Sequence, residues 1–175
     1  MEPDRRAIGI TVVLVVLLVP LAVAMWWFRL RREDRVQAAA NERNGSVMLK
    51  VLAAAEEEFR NGDRDGNGVE DYWTQDVLGL ARFSGRTSRP GPLISADIAA
   101  ADAARPGATP RYGYYLQALD GVGRTGFAFC AYPADFPRSG KWTFVINEKK
   151  QLYRVDTGGL PIRRWAPDST WVVLD

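Results

Sequence analysis

The first part of the chain has the hydrophobic pattern of a membrane-spanning helix. From Ala7 to Phe28, 22 consecutive residues carry no charge. A helix of that length rises about 33 Å, which is enough to cross the hydrocarbon core of a bilayer. Pro20 lies inside this run, where a membrane helix tolerates proline but bends. The pattern predicts a transmembrane helix over residues 7–28, preceded by a short leader over residues 1–6.

The end of this apolar run is typical of a membrane–water boundary. Aromatic side chains are followed by basic ones, and together they are the predicted anchor residues: Trp26, Trp27, Phe28, Arg29, Arg31 and Arg32. The run is longer than the roughly 7–15 apolar residues of a secretory signal, and no small-x-small cleavage motif follows it. We therefore expect a retained anchor whose partner is membrane lipid.

The next segment, residues 29–60, has the period of an amphipathic helix. Apolar residues recur at near-helical spacing in two series, which are Val36, Ala40, Val47, Val51 and Ala55, and Met48, Leu52 and Phe59. The pair Asn44-Gly45 is expected to break or bend this helix. The consecutive residues Glu56, Glu57 and Glu58 are interpreted as a solvated face.

Residues 61–110 are predicted to be a loop region with short helices, over 74–83 with Thr74 as the N-cap and over 94–104. Residues 111–175 contain four runs rich in aromatic and β-branched residues, joined by short turns, which predicts antiparallel hairpins: RYGYYLQAL, GFAFCAYP, KWTFVINE and QLYRVDT. The tail is expected to wrap the sheet and to add an edge strand over 171–174. The predicted fold class is α+β, with a long N-terminal helix, transmembrane and then amphipathic, packed on a small antiparallel sheet.

Composition narrows the chemistry that this chain can support. Its 23 basic and 21 acidic residues give a net charge of only +2. Nucleic-acid-binding domains are typically much more basic. Histidine, the commonest general base and transition-metal ligand, does not occur in the sequence. The single Cys130 cannot form an intrachain disulfide, and without a histidine to activate it we interpret it as a buried thiol. The sequence therefore predicts no enzymatic activity, no nucleic-acid partner and no small-molecule substrate.

An acidic, glycine-rich segment is the best candidate for ligand chemistry. It matches the first half of an EF-hand loop, with Gly68 at the sixth position and the following candidate Ca²⁺ ligands: Asp63, Asp65, Asn67, Val69 through its carbonyl, and Asp71. The twelfth position is Thr74, so the bidentate glutamate of an EF-hand is missing. The segment predicts weak calcium binding or, alternatively, a turn that closes the preceding helix.

Two further motifs are interpreted as turns. The stretch from Gly121 to Gly126 matches G-x-G-x-x-G, but a strand follows it, whereas a dinucleotide site needs a helix there. The triplet Asp156-Thr157-Gly158 matches an aspartic-protease active-site triplet, but that chemistry needs two such carboxylates brought together.

Four stretches together resemble type IV pilin-like proteins and pseudopilins. They are the leader MEPDRRAIG ahead of the apolar run, NERNGSVMLKVLAAAEEEF, DRDGNGVEDYWTQDVLGL, and the strand region from GYYLQAL to VDTGG. The strand region is also similar to an uncharacterised bacterial family of secreted or anchored proteins. The resemblance implies a non-enzymatic, single-pass protein of the bacterial inner membrane, whose periplasmic C-terminal domain contacts other envelope proteins.

The chain departs from the pilin pattern at the site where pilins are processed. Cleavage would fall between Gly9 and Ile10, which would make Ile10, in place of the usual Phe, the first mature residue. The fifth mature position, usually Glu in pilins, is Leu14. These departures favour a permanently anchored relative over a filament subunit.

Two alternatives remain at the level of topology and function. Basic residues are more numerous after the apolar run than before it, which by itself favours a cytoplasmic domain, while the resemblance favours a periplasmic one. The alternative function is an accessory subunit of a larger membrane complex, with the single helix packed in the membrane and the domain at its periphery.

Overall fold

The computed structural model describes residues 5–83 and 91–174, and in the first helix it leaves out the side chains of residues 5–20, 22 and 30. The predicted leader and the Gly9–Ile10 cleavage site lie outside the described side chains, as does most of the predicted membrane span. The chain divides into two compact units, Met1–Gln37 and Ala38–Asp175. The sheet and the two short helices belong to the second unit.

One long helix and one antiparallel sheet make up the fold, so the predicted α+β class is confirmed. Helix α1 covers Arg5–Asn61, and the short helices α2 and α3 cover Gly79–Arg82 and Ala96–Ala100. The strands are β1 (Tyr114–Ala118), β2 (Ala128–Pro133), β3 (Thr143–Asn147), β4 (Leu152–Val155) and β5 (Val172–Leu174). Strands that are neighbours in sequence are neighbours in the sheet, and every pair is antiparallel.

Alternation along the strands separates two apolar layers. One face of the sheet packs on α1, and its largest buried side chains are Tyr114, Leu116, Phe129, Phe144 and Ile146. From α1 this core receives Met48, Leu49, Leu52, Ala53 and Phe59. The other face buries Cys130 and Val145 beneath Ile162, Trp165 and Trp171 of the tail. Burial on both faces explains why β2 and β3 are apolar almost throughout.

Helix α1 does not break at Asn44-Gly45, so of the predicted break or bend the break is wrong. The helix is continuous there, and Gly45 is buried against Tyr114. A Cβ atom at position 45 would lie only 3.2 Å from ring carbons of Tyr114. The glycine therefore provides space for a core tyrosine instead of ending the helix.

Polar contacts hold the same stretch of α1 to the connection between β2 and β3. The side-chain amide of Asn41 donates to the carbonyl of Ser139 over 3.0 Å. The backbone N–H of Lys141 donates to the carboxylate of Glu42 over 2.8 Å. Gly140 lies between these two contacts, against the hydroxyl of Tyr114, which donates to the carbonyl of Trp142 over 2.9 Å.

The two short helices are shorter than the sequence predicts. Helix α2 begins at Gly79 and not at Thr74, because Asp76 accepts a hydrogen bond of 2.6 Å from the N–H of Gly79 and so holds a turn ahead of it. In α3 the hydroxyl of Ser95 accepts from the N–H of Ile98 and caps the helix. Local side-chain to backbone bonds of this kind compete with helix extension.

Candidate functional site

The acidic loop that follows α1 is closed by hydrogen bonds to its own carboxylates. Asp63 accepts from the N–H of Gly68 over 3.1 and 3.2 Å. Asp65 accepts from the N–H and the side-chain amide of Asn67 over 3.3 and 2.7 Å. Asn67 in turn accepts from the N–H of Val69 over 2.7 Å. These are turn contacts, of the kind that Asx residues form in loops.

The five predicted calcium ligands lie in one loop but do not form a recognisable metal site. Asp71 is buried, and its carboxylate accepts a hydrogen bond from the side-chain amide of Asn67 over 3.5 Å. Over residues 5–83 and 91–174, no group of three or more His, Cys, Asp or Glu side chains is arranged to hold a metal ion. Calcium binding therefore remains a prediction, and the turn remains its alternative.

Basic side chains fasten this loop to the end of α1. Arg64 is buried and forms an ion pair with Glu58. The Arg60 guanidinium donates to the hydroxyl of Tyr72 over 3.1 Å and lies 5.2 Å from the centre of its ring. The hydrogen bond to Tyr72 raises the pKa of Arg60, so the guanidinium stays charged. The loop and the helix end thus form one packed assembly.

Glu56 is a buried titratable residue. The interpretation of Glu56, Glu57 and Glu58 as a solvated face is therefore wrong for Glu56. Its side chain is fully buried, and one carboxyl oxygen accepts a 2.9 Å hydrogen bond from the N–H of Trp73. The other oxygen has no hydrogen-bond partner among the described residues. Removal from water raises the pKa of Glu56 to about 8, so it holds its proton at neutral pH.

The surroundings of Glu56 determine what it can do. It lies one turn from Leu52 and Phe59 on the core-facing side of α1, beside an aromatic cluster that includes Phe59, Trp73 and Phe83. A carboxyl group enclosed in this way does not reach a substrate in solution. The signal for its burial was present in the sequence, because position 56 continues the spacing of Leu52 and Phe59.

Asp102 is a second buried acidic residue that sequence reasoning missed. Its carboxylate accepts from the backbone N–H groups of Val77, Leu78 and Ala104 over 2.8 to 3.0 Å. These backbone donors satisfy both oxygens of the buried side chain. Asp102 therefore joins the segment before α2 to the segment after α3.

The predicted anchor residues lie on the surface of α1. Trp26, Trp27 and Phe28 are 62%, 54% and 75% exposed, and the guanidinium of Arg31 lies 5.2 Å from the ring centre of Trp27. The basic residues Arg29 and Arg32 are exposed as well. A search of the described residues for a helix that is both long and apolar enough to cross a membrane finds none.

The three remaining candidates have structural roles. Cys130 is fully buried, its thiol donates to the carbonyl of Ile162 over 3.4 Å, and burial raises its pKa to about 12. Asp156 is exposed, and the N–H of Gly158 together with the ammonium group of Lys141 holds the pKa of its carboxyl below the ordinary value. Residues 121–126 connect β1 to β2, so the prediction of a hairpin connection is confirmed there.

Comparison with known proteins identifies a domain family. No curated protein and no solved structure matches the chain. No pilin or pseudopilin family matches either. One uncharacterised domain family does match, and this is compatible with the predicted likeness of the strand region to such a family. That family covers residues 30–174, so its match begins two residues after the predicted span. The chain therefore belongs to the family described as Protein of unknown function (DUF2950).

Proposed function

We propose that this protein is a non-enzymatic, single-pass membrane protein that acts through protein–protein contacts in the bacterial cell envelope. Residues 7–28 hold it in the inner membrane, and the DUF2950 domain lies in the periplasm. In this proposal the chain is a permanently anchored, pilin-like protein and not a cleaved filament subunit.

The observation that carries the proposal is the surface of α1 ahead of the domain. Six apolar side chains there are each 54% to 75% exposed: Leu21, Val23, Met25, Trp26, Trp27 and Phe28. Apolar surface left in water costs about 25 cal/mol per Å², so a bare helix of this kind is unfavourable. Lipid removes that cost, and residues 7–20 continue the uncharged sequence to the length that spans a bilayer.

The proposal of protein–protein contacts follows from the surfaces that the domain's own packing already covers. Both faces of the sheet are covered, one by α1 and the other by the tail. The outer edge of β1 is bonded to the chain at Ala101 and Ala103, each over 2.8 Å. On the outward side of α1, Val47 and Val51 are 49% and 37% exposed, and a partner can bind there without disturbing the core.

Topology and partners are tested by two experiments on the full chain. An alkaline phosphatase fusion at the C-terminus is expected to be active, because the domain is periplasmic, and the same fusion to a chain that starts at residue 33 is its inactive control. An inactive full-length fusion would place the domain in the cytoplasm and contradict the proposal.

Affinity purification from detergent-solubilised membranes distinguishes the two kinds of envelope partner. We expect envelope proteins of the pilus or secretion type to co-purify with the tagged full chain. Recovery in fixed stoichiometry with a respiratory or transport complex would instead establish the accessory-subunit alternative.

A further inference from the structure

The first unit of the chain, Met1–Gln37, carries a groove on α1 that is apolar at one end and basic at the other. The side chains that line it include Met25, Phe28, Arg29, Arg32 and Arg35. They lie on one side of the helix, because they are separated by the helical intervals of three, four and seven residues. All five are exposed. Apolar surface therefore passes directly into a basic patch along a single face of α1.

The acidic residues of this segment lie on other sides of the helix. At 3.6 residues per turn, Glu33 and Asp34 lie about 100° and 160° around the helix axis from Arg32. None of the described side chains that line the groove is acidic. Within the described part of the chain, no ion pair joins Arg29, Arg32 or Arg35 to a carboxylate. The three guanidinium groups can therefore donate to an anion from outside the chain.

A phospholipid headgroup is the anion that fits a groove of this composition. Guanidinium groups bind phosphate oxygens through paired N–H donors, and they are less strongly hydrated than an ammonium group. A phospholipid presents an acyl chain and then a phosphate, in the same order as Met25 and Phe28 precede the arginines. A zwitterionic headgroup also carries a cation, which the arginines repel, so an anionic headgroup is preferred.

We propose that Arg29, Arg32 and Arg35 bind the headgroup of an anionic phospholipid, whose acyl chain lies against Met25 and Phe28. This inference rests on the proposed function, because a span over residues 7–28 brings these arginines to the depth of the headgroups. It deepens that function by naming the class of lipid that the anchor selects from the membrane.

Quenching by brominated lipids tests the proposal on the full chain. The protein is reconstituted into vesicles of equal amounts of phosphatidylglycerol and phosphatidylcholine, with bromine on the acyl chains of one lipid or of the other. Trp26 and Trp27, at the end of the predicted span, report the lipid that lies beside them. We expect several-fold stronger quenching by brominated phosphatidylglycerol. About 1 M NaCl should reduce the difference, because salt screens the attraction.

Removal of the three arginine charges is the decisive variant. We expect Arg29→Gln, Arg32→Gln and Arg35→Gln together to make quenching by the two lipids equal, and Arg32→Gln alone to reduce the preference in part. A matched control removes three charges from exposed basic residues of the unit Ala38–Asp175, and we expect it to keep the preference of the wild type. Its substitutions are Arg43→Gln, Lys50→Gln and Arg163→Gln.

The contrary results are distinct. Equal quenching of the wild type by the two lipids would overturn the inference and leave the anchor intact. A preference that survives in the three-arginine variant, or that the control variant also loses, would overturn it as well, because the preference would then not come from the groove. Quenching of the wild type by neither lipid would instead overturn the proposed function. Thermal unfolding of each purified protein in detergent identifies a variant that fails to fold.

Discussion

At the scale of single residues, the buried Glu56 makes the stability of the core depend on pH. It is buried with one carboxyl oxygen bonded to the N–H of Trp73 and the other without a hydrogen-bond partner among the described residues. The folded protein holds its proton up to a pKa of about 8, whereas the unfolded chain releases it near the ordinary value of 4.5. Folding and protonation are therefore linked between these two values.

The first prediction is a pH dependence that Glu56 causes. Between pH 4.5 and pH 8 the folded state binds the proton and the unfolded state does not, so the free energy of unfolding falls as the pH rises. The contribution of one such group is at most about 1.4 kcal/mol per pH unit, and it ends above the folded-state pKa. Thermal unfolding of the full chain in detergent from pH 5 to 9 measures it.

The Glu56→Gln variant is the control for that measurement. Gln keeps the size and the oxygen that accepts from Trp73, but it does not titrate. We expect the variant to lose the slope and to exceed the wild type in melting temperature at pH 8 to 9. Equal slopes in the two proteins would mean that Glu56 is not protonated in the folded state.

The second prediction concerns the close approach of Gly140 to Tyr114. A Cβ atom at position 140 would overlap the hydroxyl of Tyr114, so Gly140→Ala should lower the free energy of unfolding by about 1–3 kcal/mol. In a Tyr114→Phe background the hydroxyl is gone, and the same substitution should cost less. A cycle of the four proteins, followed by thermal unfolding, measures the difference. Equal costs in both backgrounds would contradict the contact.

At the scale of elements, periodicity predicted the helix and residue composition predicted the strands. The two series on residues 29–60 predicted a helix, and the four runs rich in aromatic and β-branched residues over 111–175 predicted the strands. Periodicity could not show that the series of Met48 meets the core while the other series is divided. Val47 and Val51 stay outside, whereas Ala55 is buried. That choice depends on where the sheet packs, which is a tertiary contact.

Local signals were misread where a tertiary contact decides the conformation. Asn44-Gly45 has the composition of a helix break, but Gly45 fits against Tyr114, a residue far along the chain. Glu56 has the composition of a surface residue, but its position on the core side places it under Trp73. In both cases the contact partner lies outside α1, so the helix sequence does not identify it, although the spacing of Glu56 does signal its burial.

The third prediction concerns the loop after α1. If the half EF-hand binds calcium, millimolar CaCl₂ should raise the melting temperature relative to EGTA, and Asp65→Ala should remove the rise, since a ligand of the folded state stabilises it. MgCl₂ is the control for ionic strength. A melting temperature independent of calcium would leave the loop as a turn that closes the helix.

The same loop has a role that does not depend on calcium. The carboxylate of Asp63 accepts from the N–H of Gly68. Removing this carboxylate leaves the N–H of Gly68 without that hydrogen bond. We expect Asp63→Ala to lower the free energy of unfolding by about 1 kcal/mol in the presence of EGTA. Thermal unfolding checks this, and an unchanged melting temperature would mean that the turn is held by its other bonds.

At the scale of the whole molecule, an uncharged run of residues precedes a DUF2950 domain. The DUF2950 match covers residues 30–174, and the uncharged run lies ahead of it. The domain contains its own two-layer core, which packs α1 on one face of the sheet and the tail on the other. Our proposal is that residues 7–28 attach this domain to a lipid bilayer.

Flotation of the full chain after carbonate washing tests this claim most directly. The wild-type chain is expected to float with the membranes, and Leu17→Arg to leave them in large part, because a charge at the centre of a span is costly. Ala39→Arg adds the same charge outside the span, and we expect it to float like the wild type. A wild-type chain that is extracted by carbonate and stays at the bottom of the gradient would contradict the account.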